Sequence, residues 1–219
     1  CPILQACGNG SSEMMNNIAS SIVGMLYNFQ LLKYAGEDGV SAYGVLMYVN
    51  FCFAAIFIGY SVGSAPIVGF HFGADNRKEL QNMLKKSAFL MGAGGIVLAL
   101  AAQFLAAPLA KIFVGYDPGL FAMTTHAFRL YSFAFLFMGF NIFASSFFTS
   151  LSNGGISAAI AFLRTLVFQV AAVLLLPLLL QPQLDGVWWA MTTAEIFAFV
   201  ISGVFLLANG KRYGYFPVK

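Results

Sequence analysis

Charge is what this chain lacks most. Only 9% of its 219 residues are Asp, Glu, Lys or Arg, whereas soluble domains carry about a quarter. So few polar groups cannot cover a globular surface in water. With 60% hydrophobic residues and a mean hydropathy of +0.82, the chain reads as an integral membrane protein. Cysteine is scarce as well, and Cys1, Cys7 and Cys52 match neither a disulfide framework nor a zinc spacing. There is no Gly-rich phosphate loop, no pair of His at ligand spacing and no nucleophile elbow. ATP hydrolysis and nucleophilic catalysis therefore have no support, and the chain is read as a non-enzyme without an assigned metal site. The net charge of +3 is too small to imply nucleic acid as a partner. Period-two alternation is absent, which excludes a membrane β-barrel. A secretory leader pattern is absent too, and the first residue is Cys1, so a fragment or processed piece is expected.

What the chain has is long uncharged runs: Met14–Leu32, Val40–Ala74, Ser87–Ala110, Leu130–Leu163 and Thr165–Leu184, then 186–210 broken only by Glu195. A membrane-spanning helix needs about 20 such residues. The runs predict an all-α, polytopic membrane protein with six transmembrane helices, roughly 13–34, 40–72, 86–114, 120–151, 156–180 and 187–209. Residues 1–12 and 210–219 are left as terminal segments. The connectors Gly36-Glu37-Asp38-Gly39, Tyr116-Asp117-Pro118-Gly119, Ser152-Asn153-Gly154-Gly155 and Gln181-Pro182-Gln183 are short and rich in turn residues. With six spans, one face collects Arg77, Lys78, Lys85, Lys86, Arg164, Lys211, Arg212 and Lys219, and the other only Lys33, Lys111 and Arg129. The excess of cations places both termini in the cytoplasm. Trp188 and Trp189 are then expected at the outer interface.

Polar residues inside spans are costly and become candidate sites by default. Glu13, Asn17, Ser20/Ser21, Gly24 and Asn28 recur every three or four residues, forming one stripe down the first helix. Such a stripe either glues helices together or lines a water-filled cavity. Arg129 and Glu195 each lie about eight residues past the outer end of their helix, roughly 12 Å deep, and equal depth would let them pair. That pair is either structural or an exchange site at which a proton or sodium ion competes with Arg129 or a substrate cation. Asn50 and Asn141 sit mid-span, suited to a ligand or to interhelical bonding. Arg164 is placed near the inner headgroups, snorkelling or pairing with Glu13.

Residues 59–80 read GYSVGSAPIVGFHFGADNRKEL. Pro66 cannot donate to the carbonyl of Val62, which weakens the helix. Gly59 with Gly63, and Gly69 with Gly73, offer a smooth side for a close neighbour. The inner end of this helix is therefore either a hinge or a static kink, and Asp75 or Asn76 stops it.

The same stretch resembles the end of the second helix of each lobe in multidrug and toxic compound extrusion (MATE) transporters. FNIFASSFFTSLSNGGISAAIAFLR (140–164) and GVWWAMTTAEIFAFVISGVFL (186–206) are similar to segments of the C-terminal lobe, and AGEDGVSAYGVLMYV (35–49) is similar to the bacterial branch related to multidrug exporters of Gram-positive organisms. The resemblance implies twelve helices in two lobes, of which this chain is the second, and export of cationic, amphipathic drugs driven by sodium or proton influx. It also implies a bacterial plasma (inner) membrane, no cofactor beyond that coupling ion, and a missing N-terminal lobe or a second copy as partner. Where some members carry a carboxylate on the first helix of this lobe, Ser20 and Ser21 stand here, with Glu13 two turns nearer the cytoplasm. Where some carry an aspartate on the fourth helix, only Asn141 is available. Glu195 is then the carboxylate on which coupling would rest. Two other readings stay open: a lipid-linked oligosaccharide flippase or polysaccharide exporter of the same superfamily, and a non-transporting membrane scaffold.

Overall fold

The computed structural model describes the backbone of residues 2–215, with side chains at Met14 and throughout 17–215. All elements among these residues are helical. Helix α1 spans Pro2–Gly73 and α2 Arg77–Val114. Helix α3 (Pro118–Tyr131) passes through a 3-10 turn, Ser132–Ala134, into α4 (Phe135–Ser150). Helix α5 (Gly154–Phe162) passes through a π-helical stretch, Leu163–Phe168, into α6 (Gln169–Leu179), and α7 is Gln183–Tyr213.

Five helices long and apolar enough to cross a membrane result, not six: Asn17–Gly73, Arg77–Val114, Pro118–Ser150, Gly154–Leu179 and Gln183–Tyr213. The two spans expected before residue 73 share one helical element, α1, because only a single residue of the 36–39 connector breaks it. Gly36 alone leaves helical geometry, at φ 66 and ψ −152, a region that essentially only glycine occupies. The chain still folds back there. The rings of Tyr27 and Tyr43 stack with centroids 4.9 Å apart, whereas sixteen residues of straight helix would separate them by ~24 Å. Helix α1 is thus a hairpin with a first limb before Gly36 and a second limb after it.

Three of the other turns are set by side-chain caps, which satisfy orphan N–H groups at helix starts. Asn76 accepts from Glu79 N–H, Asp117 from Gly119 and Leu120, and Asn153 from Ile156. Both residues the sequence offered take part between α1 and α2: Asp75, at φ 50, turns the chain out of α1, and Asn76 caps the start of α2.

Close packing occurs at glycines other than the expected ones. A Cβ on Gly59, Gly63 or Gly73 would meet nothing within 4 Å, and one on Gly69 would touch only the Ser150 carbonyl at 3.6 Å. The second limb turns Phe57, Ser61, Ser64 and Val68 inward, so Gly59, Gly63 and Gly73 fall on its outer side. Pro66 is also exposed, and the limb stays helical through it. Between helices, an added Cβ would be crowded at Gly95 by the Phe135 and Leu136 carbonyls (2.9 Å), at Gly139 by the Phe57 ring (2.6 Å) and at Gly186 by the Leu176–Pro177 backbone (2.6 Å). Trp188 departs from expectation as well. It is buried in the core, while Trp189 stacks on Phe133 with centroids 5.6 Å apart.

Candidate functional site

The centre of the lobe holds Glu195, fully buried on α7. A carboxylate survives there only with partners, and it has two. Arg164 reaches its Oε1 with Nε at 2.8 Å and Nη2 at 2.7 Å. Asn141 donates from Nδ2 to Oε2 at 2.6 Å and to the Glu195 backbone carbonyl at 3.0 Å. Three elements converge: α7 gives the carboxylate, α4 the amide and the π-helical stretch the guanidinium.

This corrects two expectations. Arg129 does not pair with Glu195; its side chain is exposed, and its backbone carbonyl accepts from Gln103 Nε2 at 2.9 Å. It lies at a suitable depth, but α3 buries Leu120, Thr124, Ala127, Phe128 and Tyr131, a stripe that leaves position 129 facing outward. Arg164 is not at the inner headgroups. It sits ten residues into its helix from Gly154, ~15 Å deep, and Glu195 sits twelve residues into α7 from Gln183, ~18 Å from the opposite side. Across a core of about 30 Å these depths bring the two level. Glu13 has its side chain outside the described residues.

Beside the ion pair lies a cavity of about 310 Å³, at the lower end of the range for small-molecule sites. Its polar wall includes Ser20, Asn50, Ser61, Asn141, Arg164 and Gln169, and its aromatic wall Tyr27, Tyr43 and Tyr131. Tyr27 OH, Asn50 Oδ1, Ser61 Oγ and Asn141 Oδ1 are buried without a hydrogen-bond partner among the described residues. Native interiors rarely leave such atoms unpaired. Four of them around one cavity mark a place where a ligand's polar groups would be recognised. Below it a hydroxyl cluster knits α4 to α5, with Ser157 Oγ 2.9 Å from Ser145 Oγ and 2.7 Å from Thr149 Oγ1.

The polar stripe of the first helix splits. Ser20 lines the cavity, whereas Asn17, Ser21 and Asn28 are exposed on the far side of the limb, and Ser21 Oγ bonds the Asn17 carbonyl at 3.1 Å. Of the expected residues, the fold thus brings together Asn50, Asn141 and Glu195, and it separates them from Arg129, Asn17, Ser21 and Asn28. Missed by the sequence reading were the three tyrosines, Gln169 and the partnership of Arg164. Matching depths from opposite ends of two helices was the available signal for the last.

A polytopic helical lobe with a buried ion pair beside a polar, aromatic cavity has the architecture of a membrane transporter. The MatE family model matches residues 13–175, and the chain belongs to that family. Solved structures agree in fold. An outward-facing multidrug resistance MATE family transporter of the MOP superfamily superposes with a TM-score of 0.89 at 17% identity, over 97% of this chain and 48% of that one. An inward-facing conformation of such a transporter gives 0.88 at 16% identity, over 95% and 48%. The Vibrio cholerae MATE transporter VcmN in its bent form gives 0.86 at 14% identity, over 96% and 47%. The chain therefore spans about half the length of the solved structures it matches. No curated protein matches its sequence.

Proposed function

We propose that this lobe is the C-terminal half of a secondary antiporter that exports amphipathic, cationic compounds in exchange for sodium ions or protons. The observation that carries this reading is the burial of Glu195 beside the cavity, since a carboxylate within a membrane span is costly and marks ion or proton routes. The aromatic wall suits flat, greasy cations, which tyrosine rings attract. Arg164 is the one cation lining the cavity among the described residues and is already paired, which favours an exporter of cations over a flippase for pyrophosphate-linked sugars. The lobe superposes equally on outward- and inward-facing relatives, as expected of a body that rocks without changing shape. Its partner is a further six-helix lobe or a second copy, which would enclose the exposed stripe of Asn17, Ser21 and Asn28. The setting is a bacterial plasma membrane with both termini cytoplasmic.

The test is efflux of ethidium from vesicles containing the full chain, with sodium and pH gradients imposed separately. Glu195→Gln is expected to abolish the gradient dependence. Unchanged gradient-driven efflux by that variant would sink the reading.

A further inference from the structure

The two partners of Glu195 differ in kind. Asn141 belongs to the regular helix α4 and holds both the side chain and the backbone of residue 195, a fixed brace. Arg164 stands at the cavity wall, its side chain 14% exposed, and comes from the π-helical stretch Leu163–Phe168. A π-helical turn carries an extra residue relative to an α-helical one, occurs rarely and is found mostly at functional sites. Sliding it by one residue into α geometry would turn a side chain by about 100° around the axis, the angle per residue at 3.6 residues per turn. A guanidinium released in this way has somewhere to go, because the adjoining cavity presents the unpartnered oxygens Asn50 Oδ1, Asn141 Oδ1 and Tyr27 OH. Arg164 therefore has two places to sit, and Asn141 keeps Glu195 in position for either.

We propose that Arg164 is a tethered cation that competes for Glu195, so that a monovalent cation from the cavity binds the carboxylate only by displacing the guanidinium, with segment 163–168 as the element that yields. The proposal rests on the reading of Glu195 as the exchanging carboxylate and adds to it the competitor that sets the site's affinity. Apparent affinity for any cation is lowered by the fraction of molecules in which Arg164 occupies Glu195. Among the described residues, the phenols of Tyr27 on the first limb and Tyr131 on α3 also lie within electrostatic reach of Glu195. Phenols carry no charge near neutral pH, so they do not take the competitor's place. Exchange of this kind also avoids leaving a bare carboxylate in the membrane, because one cation leaves as the other arrives.

Equilibrium binding of radiolabelled tetramethylammonium, a compact organic monocation, to the full chain in lipid nanodiscs tests this. Arg164→Gln removes the competitor and is expected to bind the probe at least about tenfold more tightly than the unaltered chain, the fold-change of a competitor occupying nine sites in ten. The double variant Arg164→Gln/Glu195→Gln should lose that gain. In the unaltered chain, saturating tetramethylammonium should speed amide hydrogen exchange across 163–168, and it should not do so in Glu195→Gln. No gain in Arg164→Gln, or a double variant binding as tightly as the single, overturns the proposal. If Arg164→Gln fails to fold, the exchange measurement decides alone, and protection of 163–168 unmoved by the probe overturns it. These readouts are independent of flux. Competition without gradient-driven efflux would leave this proposal standing and remove only the antiport reading. Loss of efflux in Glu195→Gln with no gain of binding in Arg164→Gln would do the reverse.

Discussion

At Glu195 the chain buries a carboxylate completely and answers it with one guanidinium and one amide. The attraction between buried charges roughly offsets the cost of removing both from water, so breaking the pair from one side is worse than removing it whole. Glu195→Ala is expected to lower stability by about 3–5 kcal/mol, because Arg164 is left unpaired in a low-dielectric interior. Replacing both residues with methionine should cost less than that single change. Thermal unfolding of the unaltered chain and these two variants in detergent checks the order, and a double variant less stable than Glu195→Ala would show that the pair is not the unit of energy.

Among the elements, glycine position decides more than glycine number. Gly139 and Gly63 look alike in sequence, each lying inside a long uncharged run. A methyl on Gly139 would lie 2.6 Å from the ring of Phe57, which is itself buried and cannot retreat. Gly139→Ala should therefore cost about 1–3 kcal/mol, as overpacking does. A methyl on Gly63 meets open space, so Gly63→Ala should be neutral or stabilise by up to about 1 kcal/mol through helix propensity. Unfolding midpoints of the two variants check the contrast. The Gly-x-x-x-Gly spacing at 59 and 63 was legible, but the side of the helix facing a neighbour was not, because spacing fixes relative angles along one helix and leaves its rotation to packing. The same ambiguity placed Trp188 at an interface when it fills the core.

For the whole molecule, the placement of Lys and Arg predicts which loops face which side. Single cysteines in a background lacking Cys1, Cys7 and Cys52 report it. A membrane-impermeant maleimide should label Tyr116→Cys in intact cells, and Asp75→Cys only after permeabilisation. Both positions are exposed, so the reverse pattern would invert the proposed orientation. The exposed apolar faces of the helices, with Phe51, Phe89 and Phe104 pointing outward, suit lipid or a second lobe equally well by composition. The stripe of Asn17, Ser21 and Asn28 on the first limb suits only a neighbour or water.

By itself the sequence determined the solvent, through its shortage of charge, and the approximate spans, through the length of its uncharged runs. It also located the turns at Asn76, Asp117 and Asn153, and it carried the family resemblance in short stretches. Only the tertiary structure decided that Glu195 belongs to Arg164 and not to Arg129, that Ser20 faces the cavity while Ser21 does not, and that Gly139 is crowded while Gly63 is free. The division has one physical cause. Depth along a helix can be counted at 1.5 Å per residue, but the direction in which a side chain points depends on which helices pack beside it.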